Sequence, residues 1–386
     1  MNGEVPFWSL ITFVNDPDQT SDFGVRLEDI EPWSGKILAT PPEDRKDLTG
    51  TPFQKDDVLF GKLRPYLAKS WLATSEGVAV GDIHVYRPLP HVEPRFLAYI
   101  LRTPEFISFA DGASEGVKMP RTEWSKLRQY PTYLPDLATQ RRIASYLDAE
   151  TGVIDETVKA LDEYVELLEE RLISFVDHEL EKHRYSMCGV GFVSDVILGK
   201  MLASNRPSGD SQKLHYLRAA HVQPHGVLDF SVDEKQMWFS PTEASNLDLR
   251  RGDVVVVEGG AGFGRSACLK SELRGWGFQN SINRVRAYPD RAIGPYISIM
   301  LNRALKRGDT GLVASVATIP HFTAEKLARF RIPYIPLEDQ VEFTDRVLRE
   351  HDRIDRLVTE CRELKDILLK RRQVLITDVV TGKVKV

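Results

Sequence analysis

The sequence predicts an α+β chain in which two α/β globules, related by a pseudo-twofold axis, are joined by two long antiparallel helices forming a coiled coil. Three observations carry this reading. The chain matches itself when displaced by 200 residues. Each copy ends in a long apolar seam with alternating steps of four and three. Each copy also holds a short apolar run, read as a buried strand, that opens into a loop of glycine and cationic residues.

The repeat places Phe96-Leu97 on Tyr296-Ile297, Met119-Pro120 on Ile319-Pro320, Leu127 on Leu327, Gln140 on Gln340, and Ile154-Asp155 on Ile354-Asp355. With one residue of slack, Leu134-Pro135 answers Ile335-Pro336, and with about four, Asp57-Val58 answers Asp253-Val254. Pairs of this size arise by chance one at a time, but a shared displacement does not. The chain therefore divides into a first globule (residues 1–133), a central helix (134–184), a second globule (185–334) and a distal helix (335–386).

In the first globule, Asp57-Val58-Leu59-Phe60 reads as a strand followed by Gly61-Lys62-Leu63-Arg64-Pro65-Tyr66, with Lys69 close behind. Lys118 and Arg121 are further candidate cations of this globule. In the central helix, Ile154, Val158, Leu161, Val165, Leu168, Leu172 and Phe175 form the seam. The length of about 45 residues corresponds to ~65 Å at 1.5 Å per residue, and Gly152 is expected to loosen the opening turns. The second globule repeats the strand as Val254–Val257 and follows it with Gly259-Gly260-Ala261-Gly262-Phe263-Gly264-Arg265. Arg218, Asn280, Asn283, Arg284 and Arg286 are its remaining candidates. The distal helix carries Ile354, Leu357, Cys361, Leu364, Leu368 and Leu375, with Arg371 interrupting the pattern and Thr381-Gly382 stopping it.

Such seams suit pairing of the two helices with each other, through Ile154, Leu161, Val165, Leu168 and Leu172 on one and Ile354, Leu357, Leu364, Leu368 and Leu375 on the other. The order globule, helix, globule, helix then favours antiparallel helices holding two heads at a fixed spacing. Dimeric DNA readers use the same dyad logic. Arg and Lys suit phosphates or guanine edges, Asn suits adenine edges, and Gly permits close backbone approach. A surface cation taken alone usually does no more than solvate a turn.

Composition narrows the function classes. With 51 Lys+Arg against 56 Asp+Glu and a net charge of −5, a uniformly basic nucleic-acid coat is excluded. The charge is uneven, at −4, −7, +6 and 0 over the four segments, so a polyanion would meet only part of the molecule. Cys188, Cys268 and Cys361 are odd in number and far apart, which fits neither a disulfide framework nor a CxxC metal site. The residues 7–14 lack a basic flank for a signal peptide, and no apolar run is long enough to span a bilayer, so a cytoplasmic location is expected.

Catalytic motifs are also missing. Gly35-Lys36, Gly61-Lys62, Gly199-Lys200 and Gly382-Lys383 are each followed by a residue other than Ser or Thr, so no P-loop is present. The sole Pro-Pro, Pro41-Pro42, follows Thr40 and not the Asn or Asp of an amino-methyltransferase turn. The glycines of residues 260–264 do not complete a dinucleotide fingerprint. His215, His221 and His225 are not spaced as a metal cluster. No catalytic residue, metal or cofactor is expected on this chain.

The Lys62-Leu63-Arg64-Pro65-Tyr66 loop after its strand, Leu134-Pro135 through Gln140 and Ile143 into a heptad helix, and the second set at Asp253-Val254-Val255, Ile335-Pro336 and Gln340 together resemble the specificity subunit of type I restriction-modification systems. The resemblance spans essentially the whole chain and is most specific at the helical repeats. It implies two target-recognition domains reading a bipartite site in double-stranded DNA, and helices that bind two modification (methyltransferase) subunits, with restriction/translocase subunits joining them. S-adenosylmethionine and ATP are then expected on those partners, and no membrane is involved. The second globule departs from the pattern, because a Gly-rich loop bearing Arg265 replaces Lys-Leu-Arg-Pro-Tyr, so a role for Arg64 does not transfer to Arg265 by position. The reading of a different class is a two-headed coiled-coil protein adaptor without DNA specificity.

Overall fold

The computed structural model describes residues 3–38, 47–202, 205, 209–310 and 321–386. Pro41-Pro42 and Ile319-Pro320 lie outside the described residues. The chain forms two compact units, Met1–Glu163 with Glu360–Val386, and Tyr164–Thr359. Each unit therefore contains one globule together with stretches of both long helices. Among the described residues, no helix is long and apolar enough to cross a membrane.

The two units share the strand order of their main sheet. In the first, an antiparallel sheet runs Ile11–Val14, Ile83–Pro88, Val58–Gly61, Ser70–Leu72; in the second, the order is Ser194–Leu198, Ile282–Ala287, Val254–Val257, Ser266–Cys268. The apolar runs read from the sequence are thus inner strands, and Val58, Leu59, Phe60 and all four valines of Val254–Val257 are fully buried. A second sheet, of four strands in the first unit and three in the second, includes one parallel pair in each, Gly24–Arg26 with Gly77–Val80 and Gln212–Leu217 with Trp276–Phe278. Each globule closes on a two-stranded ribbon, Gly3–Pro6 with Pro131–Leu134 and Ser186–Gly189 with Arg331–Tyr334.

A buried glutamine roots each long helix. Gln140 accepts a hydrogen bond from the Glu93 amide (2.9 Å) and donates to the Pro135 (2.9 Å) and His91 (3.1 Å) carbonyls. Gln340 repeats the arrangement with the Ile293 amide (3.1 Å) and the Ile335 (3.0 Å) and Arg291 (3.1 Å) carbonyls. Both side chains are at most 1 % exposed. An acidic anchor is likewise repeated: Asp57 takes a bidentate Arg87, and Asp253 a bidentate Arg286.

The long helices run Leu137–Glu181 and Leu337–Val380, with Gly152 inside the first, where nothing lies within 4 Å of the place its Cβ would occupy. In the second unit, Leu168, Ile354 and Val358 are buried together, with Val165, Leu172 and Leu357 packed against them. Ion pairs there join Arg171 to Glu350 and Glu179 to Arg346, so rising numbers meet falling ones and the helices are antiparallel. In the first unit the same sense is set by Asp155 with Arg372 and Asp162 with Lys365. Ile154 is buried there, and Leu161, Leu368 and Leu375 are partly buried.

Leu364 is the correction. It is 44 % exposed, and Arg371 beside the expected seam is exposed as well. The seam instead steps from Ile354 through Val358 and Cys361 to Lys365, Leu368 and Arg372. Two of its positions are polar, so an apolar pattern search slides one residue off register. Arg372 is 7 % exposed; it pairs with Asp155 at 2.9 Å and also donates to the Trp33 and Ser34 carbonyls. Removing one partner of a buried pair leaves an uncompensated charge. Arg372→Ala is therefore expected to cost about 2–4 kcal/mol in urea unfolding, with a coupling of ~1–3 kcal/mol in the Asp155/Arg372 double-mutant cycle. Leu364→Ala should cost under about 0.5 kcal/mol. A Leu364→Ala cost matching that of Leu368→Ala would restore the simple apolar seam.

Candidate nucleic-acid interface

In the first unit the strand Val58–Gly61 delivers the chain into residues 62–64, and a 3-10 turn at Pro65–Leu67 returns it to Ser70–Leu72. At Gly61 a Cβ would lie 2.5 Å from a Leu27 methyl, so a larger residue there would make the Leu27 side chain move. Arg64 and Ala68 bracket the turn with φ of 51° and 47°, left-handed values that side chains other than glycine seldom adopt. The loop is tied to residues 120–122 by two backbone hydrogen bonds, the Arg64 amide to the Pro120 carbonyl (2.7 Å) and the Thr122 amide to the Lys62 carbonyl (3.0 Å), which together make an antiparallel bridge of Leu63 with Arg121.

Lys62, Arg64, Tyr66, Lys118 and Arg121 thereby belong to two neighbouring, backbone-linked segments. Arg64 and Lys118 are exposed and Tyr66 is 45 % exposed; these three side chains have no hydrogen-bond or ion-pair partner among the described residues. Arg121 is exposed but held by both oxygens of Asp82, at 3.0 and 2.9 Å, and that contact raises its pKa. Lys69, by contrast, donates from Nζ to the Leu27 carbonyl at 2.8 Å, so its ammonium is spent inside the globule. Near the loop, His84 is 5 % exposed with Nδ1 3.0 Å from the Tyr86 hydroxyl. Burial, followed by the charge of Lys62, lowers its pKa to about 3, so the ring is neutral at physiological pH.

The second unit repeats this backbone with other side chains. The Phe322 amide donates to the Glu258 carbonyl (2.7 Å), as Thr122 does to Lys62, and Gly259 bridges His321, as Leu63 bridges Arg121. Glu258 therefore stands where the first unit has Lys62, Gly260 where it has Arg64, and His321 where it has Arg121. Arg265 answers Lys69: the Val257 amide donates to the Arg265 carbonyl (2.9 Å), as Gly61 does to Lys69 (2.8 Å). The Arg265 side chain lines a cavity of about 1320 Å³ in this unit. Arg218 is half-buried and donates from Nη2 to the Asp233 carbonyl at 2.7 Å, and Asn280 is half-buried just before the strand Ile282–Ala287.

Asn283 and Arg284, expected at base edges, are corrected by their burial. Asn283 is 0 % exposed and donates to the Phe322 carbonyl at 2.7 Å. Arg284 is 4 % exposed and donates to the Asn246 and Asp248 carbonyls, with ion pairs to Asp248 and Asp195. Arg286 is bound by Asp253; burial pulls its pKa down, but the Asp253 hydrogen bonds and charge outweigh that and raise it. All three lie on Ile282–Ala287, an inner strand flanked on both sides, and acceptors mostly in the connections beside the sheet, at Phe322, Asn246, Asp248 and Asp253, take up donors of each side chain. The sequence signal was available in the Arg87–Asp57 counterpart, which repeats this pairing. Sequence reasoning missed the exposed Val117 and Met119, which adjoin Lys118. Among the described residues, no group of His, Cys, Asp and Glu could hold a metal ion.

No protein-family model matches the chain. Over 171 residues it is 26 % identical to the type I restriction enzyme EcoDI specificity subunit of Escherichia coli, covering 40 % of this chain and 37 % of that relative. The match thus spans little more than a third of the relative's length. In fold the likeness is far wider. A chain from a structure of type I R-M system assembly and conformational transition aligns over 99 % of this chain and 98 % of its own, with TM-score 0.72 and 17 % identity. The HsdS subunit of Thermoanaerobacter tengcongensis aligns over 99 % and 97 %, with TM-score 0.50 and 17 % identity. The chain is thus similar to type I specificity subunits, in sequence over part of its length and in fold over nearly all of it.

Two measurements separate scaffold from surface. Arg284→Ala is expected to cost about 2–4 kcal/mol of unfolding free energy without DNA, because it removes the hydrogen bonds and ion pairs that a buried guanidinium makes with Asn246, Asp248 and Asp195. Arg64→Ala and Lys118→Ala should change it by no more than about 0.5 kcal/mol. Because the folded-state pKa of His84 lies below its unfolded value, the unfolded chain takes up the extra proton. The stability from neutral His84 is complete above about pH 6.5 and is lost as pH falls toward about 3. Asn283 stands where the first unit has His84, opposite Val256 as His84 is opposite Phe60, and His84→Asn should flatten that part of the pH–stability curve. An unchanged curve would place the titration elsewhere.

Proposed function

We propose that this chain is the DNA sequence-recognition subunit of a type I restriction-modification complex. Its two globules are target-recognition domains that read the halves of a bipartite site, and its helices recruit modification (methyltransferase) subunits, with restriction subunits joining them in the cytoplasm. The chain itself is non-catalytic, and S-adenosylmethionine and ATP belong to its partners. The observation that carries this reading is the fold likeness over 99 % of the chain to a chain of a type I assembly. The exposed, unneutralised Arg64 and Lys118 with Tyr66 supply chemistry for phosphates and bases in the first globule. An adaptor with no DNA specificity would give no reason for this grouping.

Charge also bears on affinity. A chain of net charge −5 releases few counterions from DNA unaided. Basic surfaces on partner subunits would supply much of the phosphate neutralisation, so the isolated chain should bind duplex weakly at physiological salt.

Coexpression with a type I modification subunit of the same source, followed by sequencing of methylated sites, tests the reading. A two-part motif separated by a spacer of fixed length is expected. Arg64→Ala should relax or weaken one half of the motif and leave the other half unchanged, with a loss of ~1–3 kcal/mol if Arg64 reads a base. Methylation that proceeds without this chain, or a motif of a single block, would overturn the proposal.

A further inference from the structure

Residues 115–121 form a finger that the recognition loop does not account for. The Glu115 amide donates to the Arg121 carbonyl (2.8 Å) and the Arg121 amide donates back to Glu115 (2.9 Å), closing a five-residue loop. Gly116 sits at φ +100°, and a Cβ there would approach the Met119 carbonyl oxygen at 3.2 Å, so the turn needs glycine. The base of the finger is pinned twice, by Arg121 on Asp82 and by Lys126 on Glu115 at 2.6 Å. A third tie, the Arg64 amide on the Pro120 carbonyl, holds it against the recognition loop.

The tip of this braced finger is apolar. Val117 is fully exposed at 101 % and Met119 is 49 % exposed, with Lys118 between them. Tight bracing removes the usual reason for exposed apolar side chains, a loop free to fold them inward. The neighbouring groups identify the surface that covers them. Arg64 and Lys118 are unneutralised among the described residues, which suits a polyanion, and Tyr66 adds a ring suited to stacking. Proteins that insert apolar side chains between base steps combine these features: cations that hold the backbone and a stiff wedge that parts the stack. A preformed wedge also has little ordering entropy left to lose on binding.

We propose that Val117 and Met119 enter the stack of the half-site read by the first globule as an apolar wedge, kinking the DNA at one step. This rests on the DNA-recognition reading and deepens it, since part of the specificity would then come from how readily that step opens. Pyrimidine–purine steps deform most easily and are the expected site.

The test uses the full chain assembled with its modification subunits on a duplex carrying the methylated motif, with 2-aminopurine at successive positions other than the methylated base. The wild type should raise fluorescence at one step of the first half-site. Val117→Ala/Met119→Ala should abolish that rise and weaken binding at least fivefold, with an unchanged unfolding midpoint because both side chains are exposed. Lys118→Ala should keep the rise and reduce the salt slope by about one. If the double variant keeps the rise, the wedge is wrong while the recognition reading stands. If it keeps the rise and loses capture of the modification subunits, the finger docks protein and the wedge is again wrong. If even the wild-type assembly cannot tell the motif from a scrambled duplex, the recognition reading itself fails.

Discussion

The direction in which each long helix leaves its globule depends on one buried amide. Gln140 and Gln340 sit in the first turn of their helices and satisfy three backbone groups that the turn would otherwise leave unpaired, one amide and two carbonyls each. Only an amide side chain both donates and accepts in this geometry. Because the partners lie in the strand-to-helix connections of the globule, the side chain fastens the helix start to the globule and not merely to the preceding residue. Within the first unit, the helix that Gln140 roots carries Asp155 to hydrogen-bond distance of Arg372.

Much of this architecture was legible in the sequence because burial constrains residue type. The shared displacement, the apolar strands and the glutamine pair all reflect positions where few alternatives fit. The distal seam was legible only in part. Lys365 and Arg372 occupy seam positions because Asp162 and Asp155 face them, and a search for apolar steps cannot see a polar pair spread over more than two hundred residues. Two of the second globule's base-reading candidates failed for a related reason. Asn283 and Arg284 have the right donors for DNA, but donor chemistry says nothing about exposure, and an inner strand buries them. In the first globule Lys69 was lost to a nearby carbonyl, while Arg64, Tyr66 and Lys118 remained outward.

The contrast between the copies shows which interactions the backbone requires. Asp57–Arg87 recurs as Asp253–Arg286, and Gln140 recurs as Gln340, with the same atoms engaged. Trp33 and His225 share a left-handed conformation, at φ of 62° and 63°, though their side chains have little in common. At the loop surface nothing but the backbone is kept: Lys62, Arg64 and Arg121 are answered by Glu258, Gly260 and His321.

That division has a consequence for recognition. Phosphate contacts position a protein on DNA and carry no sequence information, whereas base contacts do. If both heads used the same loop residues, they would favour similar half-sites, and a bipartite target would gain length but little information. On the DNA-recognition proposal, exchanging a cation for Glu258 reverses the local charge at an unchanged backbone position, so the second globule would make its contacts through different side chains. Divergence of this kind does not weaken the fold, because the Glu258 carboxylate and the His321 ring meet only at 3.7 Å on a partly exposed surface, a contact worth little to stability. The surface can vary freely because the glutamine and Asp–Arg anchors beneath it do not.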